Sequence, residues 1–528
     1  MKRILKFCCV SLVILPFVII NGCTDNFDEL NTNPKGLILE ALDGSNIGKL
    51  FAQTNYAVMD HTPIGTGPWV YQVSDALFPD LYAQYFATTQ PRFASDRHTI
   101  VGGWNNQAWA VTFQRSAPQL RLLKNQTAEL GMVKENAIAK VWEVFQFQRA
   151  TDYYGPIPYS QFGNGELSVP YDSQESVYKS FFPILDEAVE VLKNGGTSVF
   201  GGDDLIYRGD VSKWYRFANT LRLRIAMRIR FVEPALAKQE AEKAVAAGVM
   251  GSVSDNAFVK TFNGTPNVYS VITAWGEFRM SAAMESVLKG YNDPRTGGMF
   301  SPAALGDSPD DADNFPYEGI LNGQSIAALE NGTLNYNRTA SDMSPKFLPV
   351  TGNLMPIAVM RVAEAYFLRA EGALIGWNMQ GNAKDLYESG INASLQEWGV
   401  PNSGYATSIA VPAPVSNTIP AMTDIPVLFD GSNQEKALEQ IITQKWISLY
   451  PESREAWAEL RRTGYPKLYP RLFSENPDVG VNEVMSRLVY PIIEFNTNRA
   501  AVEAAIASPE IGGAEANGSK KLWWDVRD

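Results

Sequence analysis

The stretch from Met355 to Gly399 constrains the fold more than any other part of the chain. Ile357, Met360, Ala363, Phe367, Ala370 and Leu374 recur at alternating three- and four-residue steps, the period of one helix face. After a break at Trp377 to Gly381, the pattern resumes at Ala383, Leu386, Tyr387, Ile391, Leu395 and Trp398. So short a connection predicts antiparallel packing, and the alanines and Gly372 of the first helix predict close approach of the second. The pair spans about one tetratricopeptide unit. The expected fold is therefore mainly α, a tetratricopeptide-like helix-turn-helix scaffold interrupted by long irregular insertions.

The same period recurs elsewhere. A first helix is expected over Ile47 to Val58, and another through Trp109, Phe113, Leu120, Leu123 and Leu130, where Pro118 predicts a kink. Ile138, Val141, Val144 and Phe145 mark the next helix. Asp172 to Glu175 reads as a capping box, opening a helix that carries Val177, Phe181, Leu185, Ala188 and Leu192 and the ill-placed Pro183. Ser212 is the expected cap of a helix with Trp214, Phe217, Leu221 and Ile225, and Pro234 begins one that ends near Gly248. Arg216, Arg222, Arg224, Arg228 and Arg230 lie on the Ser212 helix, where an arginine run predicts a solvated or ion-paired face. Two later helices are expected over Gln434 to Tyr450 and Ser453 to Arg462, with Gly464 as a C-terminal cap. The loop-rich tail ends in Trp523 and Trp524, expected to pack back on the domain. Irregular insertions are expected at about 60–103, 251–355 and 399–432, and insertions this long are commonly functional.

The amino terminus reads as a targeting segment. Lys2, Arg3 and Lys6 precede a short apolar run from Phe7 to Ile20, and Gly22 stands directly before Cys23. This order resembles the cleavage box of bacterial lipoproteins, which predicts residues 1–22 as a lipoprotein signal peptide and Cys23 as the lipidated first mature residue. Cys8 and Cys9 lie in the removed segment, so Cys23 is left without a disulfide partner and acylation gives it a use. Two or more acyl chains, at about 0.8 kcal/mol per buried methylene, hold a protein on a membrane almost permanently. Residues 23–36 then form a flexible acidic tether and residues 37–528 a single domain, attached to the membrane through lipid alone.

Charge and motif content exclude several functions. Removing residues 1–22 takes the net charge from -12 to -15, which argues against a nucleic-acid partner. His61 and His98 are the only histidines, no zinc spacing exists, and the nucleophile-elbow, Walker and dinucleotide motifs are absent. Asp310, Asp311 and Asp313 lack the glycine and terminal spacing of a calcium loop, so neither metal nor cofactor is expected. What rises above background is the aromatic supply, 12 Trp, 22 Tyr and 26 Phe, many in irregular segments. Flat rings beside polar side chains hold sugars or extended peptides by stacking and hydrogen bonding.

Several segments together resemble one family. FDELNTNPKG after Cys23, DYYGPIPYS from Asp152, GDVSKWYRFANTLRLRIAMR from Gly209 and YNDPR from Tyr291 come first. MRVAEAYFLRAEGAL from Met360, QKWISLYPESREAWAELRRTGY from Gln444, RLVYPIIEFNTN from Arg487 and the closing LWWD follow in order. The set resembles the SusD/RagB outer-membrane nutrient-binding lipoproteins. The resemblance implies a helical scaffold whose inserted loops carry the ligand surface, and an outer-membrane, cell-surface location. It implies a partner as well, a TonB-dependent β-barrel transporter of the SusC type, to which the protein delivers an oligosaccharide or peptide without making or breaking a bond. In such a family Asp25, Asp28 and Glu29 resemble a surface-export signal.

Because the family carries no fixed binding motif, the candidate ligand contacts come from loop aromatics and their polar neighbours: Trp69, Tyr71, Trp104, Asn105, Tyr269, Trp275 and Arg279. Two other functions stay open on the sequence. One is a surface glycoside hydrolase, since carboxylate pairs are recognised by their separation in space. The other is a structural partner of the transporter with no ligand of its own. Arg361, Glu364, Arg369 and Glu371 on the Met355–Gly399 pair are expected to form scaffold ion pairs.

Overall fold

The computed structural model describes residues 43–59, 69–166, 168–262, 267–307, 313–331, 339–348, 355–513 and 518–527. The signal segment, Cys23, the tether, the start of the His61 to Val70 loop and Asp310 and Asp311 fall outside them. From Gly44 onward the chain forms one compact unit. Its strands and its helices of nine or more residues are, in order, α1 (Ile47–Val58), β1 (Phe86–Thr88), α2 (Gly102–Ala110), α3 (Ala117–Glu129), α4 (Val133–Tyr154) and α5 (Gln174–Leu192). Then come α6 (Val211–Arg228), α7 (Pro234–Ala247), β2 (Ala257–Val259), β3 (Phe278–Met280), α8 (Ala282–Gly290) and β4 (Ile357–Met360). The chain closes with α9 (Val362–Leu374), α10 (Ala383–Trp398), α11 (Gln434–Leu449), α12 (Ser453–Thr463) and α13 (Arg499–Ala507).

Consecutive helices pack on one another: α3 on α4, α4 on α5, α5 on α6, α6 on α7, α9 on α10, and α11 on α12. This is the pairwise stacking that the periodicity predicts. Caps fix the boundaries. Asn382 accepts the Asp385 N–H at 2.9 Å to start α10, and Asn433 accepts those of Glu435 and Lys436 at 3.0 Å to start α11. Gly399 and Gly464 end α10 and α12 at φ of 70° and 75°, the left-handed conformation that glycine adopts without penalty.

Several local expectations are corrected. Ile357 and Met360 lie on β4, not on a helix: β4 pairs antiparallel with β2, and α9 starts at Val362. The helix α5 is capped by Ser173, which accepts the Ser176 N–H, because Asp172 is engaged by the Ser160 backbone and hydroxyl. Asp210, not Ser212, caps α6, accepting the N–H groups of Ser212 and Lys213 at 2.9 and 3.2 Å. Pro118 does not kink a single helix. It sits at the start of α3, directly after a π-helical segment, Val111–Ser116, that takes up the irregularity. Pro183 stays inside α5 on its exposed side, where solvent can take over the carbonyl it leaves unbonded. A close approach between α9 and α10 is at Gly390, where a Cβ would lie 2.8 Å from the Phe367 ring; Gly372 is instead covered by Met379 of the connection. Residues 251–355 are not irregular throughout, since they hold β2, β3 and the Ser281-capped α8.

The arginines of α6 face inward. Arg222, Arg224 and Arg228 are buried, and their charges meet carboxylates on other helices. Arg224 donates two hydrogen bonds to Glu364 of α9 at 2.7 and 2.6 Å, and Arg228 reaches Glu455 and Glu459 of α12 at 2.6 and 3.0 Å. Lys445 of α11 lies 3.3 to 3.7 Å from Glu459, Glu455 and Glu364. Arg462 binds Glu371 at 2.6 and 2.7 Å, and Arg230 pairs with the same carboxylate. Ion pairing is therefore right for these arginines and a solvated face is wrong. Arg361 pairs with Glu397 at 2.7 Å, whereas Arg369 donates to the carbonyls of Met379 and Gln380. The terminal Trp524 is buried and donates its indole N–H to Asp152 at 3.0 Å.

Candidate functional site

Of the candidate residues, Arg279 lies on the ribbon formed by β1 and β3, and Trp275 lies just before β3. Phe86, Ala87 and Thr88 pair antiparallel with Met280, Arg279 and Phe278. Beyond the ladder, the Thr89 N–H donates to the Glu277 carbonyl and the Thr89 hydroxyl to that of Gly276, both at 2.9 Å. Gly276, at φ 63°, turns the chain so that Trp275 projects from the end of the ribbon with 49% of its surface exposed. Gln72 and Arg92 both reach the Glu277 carboxylate, which joins the segment carrying Trp69 to the ribbon.

The candidate aromatic side chains differ in exposure. Trp69 is 36% exposed, with the Arg115 guanidinium 5.9 Å from its ring centre and Arg115 donating to Gln107 at 2.8 Å. Trp104, half-buried at the start of α2, meets Phe93 edge-on at 5.7 Å. Phe93 stacks on Phe278 at 5.6 Å with 11° between the rings, and Arg92 covers it at 4.8 Å. Open indole faces beside guanidinium, amide and carboxylate groups suit a ligand that has both apolar faces and hydroxyl or amide edges.

The other candidates are buried or half-buried. Tyr71 is buried and its hydroxyl donates to Asp80 at 3.3 Å, while its ring meets Tyr269 edge-on at 5.4 Å. Burial, with Asp80 and Asp75 adding to it, holds the Tyr71 phenol well above its ordinary range; burial likewise raises that of Tyr269. Asn105 is fully buried, donating to the Val489 carbonyl at 2.7 Å and accepting from Tyr154 at 3.3 Å. Arg279 is half-buried, donates to the Phe278 carbonyl at 2.7 Å and lies 3.7 Å from Asp342, whose carboxyl burial pushes up to about 6 against the pull of Arg279. Trp69, Trp104 and Trp275 thus reach the surface, and Tyr71, Asn105 and Tyr269 pack under it. Gln72, Gln107, Arg115, Arg92 and Glu277 are the polar neighbours that sequence reasoning passed over. One helical turn separates Trp69 from Gln72 and Trp104 from Gln107, the local signals among them.

Among the described residues no group of three or more His, Cys, Asp or Glu side chains is arranged to hold a metal ion. No described helix is long and apolar enough to cross a membrane. His98 is buried, which lowers its imidazole to about 3, and it contacts Ser474 at 3.3 Å.

The family described as SusD-like, Susd and RagB outer membrane lipoprotein, matches residues 29–525. The chain belongs to that family. A solved structure of a chitin-binding SusD homolog from Flavobacterium johnsoniae is 34% identical, with a TM-score of 0.82 over 92% of this chain and 99% of its own. A SusD homolog from Bacteroides vulgatus is 31% identical, with a TM-score of 0.82 over 91% of this chain and 97% of its own. A SusD-like protein from Bacteroides thetaiotaomicron is 32% identical, with a TM-score of 0.80 over 91% and 99%. No curated protein matches the chain. The mainly helical, pairwise-stacked architecture is thus that of the SusD-like proteins.

Proposed function

We propose that this SusD-like lipoprotein is a non-catalytic capture protein of the cell surface. Its Trp69–Trp104–Trp275 face takes up an oligosaccharide, which passes to a TonB-dependent, SusC-like outer-membrane transporter. What supports this reading is that Trp69 and Trp275 are both exposed, and that the segments carrying them are tied through Gln72 and Glu277, with Arg92 and Arg115 alongside. The family match supports the outer-membrane setting, and the signal segment supports attachment through acylated Cys23 and the tether of residues 23–36. The charged groups of the face are tied to one another, Glu277 to Arg92 and Gln72, which suits holding a ligand better than transferring its protons. Two similar structures are described as chitin-binding, which makes N-acetylglucosamine oligomers the first class to test.

Isothermal titration of residues 24–528 against oligosaccharides of different composition, with short peptides alongside, tests the reading. Saturable binding of one oligosaccharide, weakened when Trp69 or Trp275 is replaced by Ala, is the expected result. Tight peptide binding with no response to any oligosaccharide would overturn the sugar assignment, and release of shortened product would overturn the non-catalytic one.

A further inference from the structure

Behind the ribbon lies a second recess that sugar capture does not use. Ala87 and Arg279 are cross-strand partners, and Ala87 clusters with Ile320 and Ala340. The adjacent Phe278 points to the opposite face, onto Phe93. Ile320 and Ala340 line a cavity of about 470 Å³ that is closed on its other sides by Ala303–Asp307, Val415–Ile419 and Leu472.

The chemistry of this cavity differs from that of the tryptophan face. Leu305, Ile320, Val415, Ile419 and Leu472 give it aliphatic walls, with Glu318, Gln324 and Thr339 beside them, and among the described residues neither an aromatic ring nor a lysine or arginine lines it. Leu305 and Leu472 stand at its mouth, 69% and 50% exposed. Asp307, a wall residue, accepts the Asn314 N–H at 2.9 Å through Oδ2, while its Oδ1 is buried and has no hydrogen-bond partner among the described residues. A carboxylate oxygen withdrawn from water without a donor is costly, and a cationic N–H is the donor it binds best. The cation that braces the wall is already committed: Lys289 meets Glu285 at 3.0 Å, Asp313 at 2.8 Å and the Val415 carbonyl at 3.3 Å.

The walls are held in place before any ligand arrives. The Ala303 N–H donates to the Pro316 carbonyl at 2.7 Å, that of Val415 to Ile419 at 3.0 Å, and that of Leu472 to Asn322 at 3.0 Å. We propose that this cavity is a second binding site, for a small aliphatic amine whose ammonium group meets Asp307 while a branched hydrocarbon chain fills the leucine- and isoleucine-lined wall. The amino-terminal residue of a peptide beginning with leucine carries both groups.

Titration of residues 24–528 with leucinamide tests this, with glycinamide and N-acetyl-leucinamide as probes that lack the side chain and the charge. Leucinamide is expected to bind saturably. Removing the hydrocarbon should weaken binding about tenfold, and removing the charge should do so by a similar factor. Asp307→Asn, checked for folding by its thermal unfolding curve, should lose the preference for leucinamide over N-acetyl-leucinamide while keeping any response to oligosaccharide. Absence of saturable leucinamide binding would overturn the proposal, as would equal binding of the three probes or an unchanged preference in Asp307→Asn. Should Asp307→Asn fail to fold, the comparison of the three probes on the unmodified chain still decides.

Discussion

Replacing Glu459 by Gln keeps its shape and removes one charge from the centre of the scaffold. Glu459 lies 2.6 Å from Arg462, 3.0 Å from Arg228 and 3.3 Å from Lys445, all of them buried. Burial by itself raises its carboxyl, but Arg462, Lys445 and Arg228 together hold it well below the ordinary range. Loss of one partner from a buried pair costs about 3–5 kcal/mol, since a charge is left uncompensated in a low-dielectric interior. The exposed pair of Lys193 and Glu190 provides the contrast, because a surface pair contributes less than about 1 kcal/mol. Urea unfolding of residues 24–528 should therefore show a loss of about 3 kcal/mol or more for Glu459→Gln and almost none for Glu190→Gln. A carboxyl held low contributes stability that is present above its unfolded value of 4.5 and is lost as pH falls through its folded value. The gap between wild type and Glu459→Gln should accordingly narrow below that pH. Adding Lys445→Met should recover part of the loss by removing the surplus cation. Equal effects of Glu459→Gln and Glu190→Gln, or a double variant weaker by the full sum of its parts, would refute the account of the network.

Replacing Trp69 or Trp275 by Ala should weaken oligosaccharide binding by about 1 kcal/mol each in titration, with thermal unfolding unchanged because both rings are exposed. Asp525 is raised to about 6 by burial, against the pull of Arg461 and Lys521, so its ionisation opposes folding as pH rises from about 4 through 6. Asp525→Asn should thus be more stable than wild type at pH 8, by on the order of 2 kcal/mol, and indistinguishable from it below pH 4. Cys23→Ala in the full chain should move the protein from the membrane fraction to the soluble fraction, as read by fractionation and immunoblotting, since lipid is its expected attachment.

Local signals carried much of the scaffold. The apolar period, with Gly464 after the last of them, defines α10, α11 and α12 to within a residue or so, because caps and helix faces are decided by neighbours in the chain. Ile357 to Met360 misled for the complementary reason. A four-residue apolar run fits a helix face or a strand, and its pairing with β2, far upstream, settled the matter. The candidate site divides in the same way. Residue type alone put all seven candidates on one footing, yet Tyr71, Asn105 and Tyr269 are buried while Trp69 and Trp275 are exposed.

By itself, then, the sequence determined the helix pairs, several of their ends and the family, all of which rest on contiguous residues or on motifs in order. The tertiary structure alone decided which charges are buried, since Arg224 and Arg228 of α6 meet glutamates that α9 and α12 bring to them from 140 to 231 residues away. It alone decided which aromatics meet solvent, and that a cavity with an unpartnered Asp307 oxygen lies behind the ribbon. Burial and charge compensation depend on what other elements place against a side chain, and no local pattern encodes that.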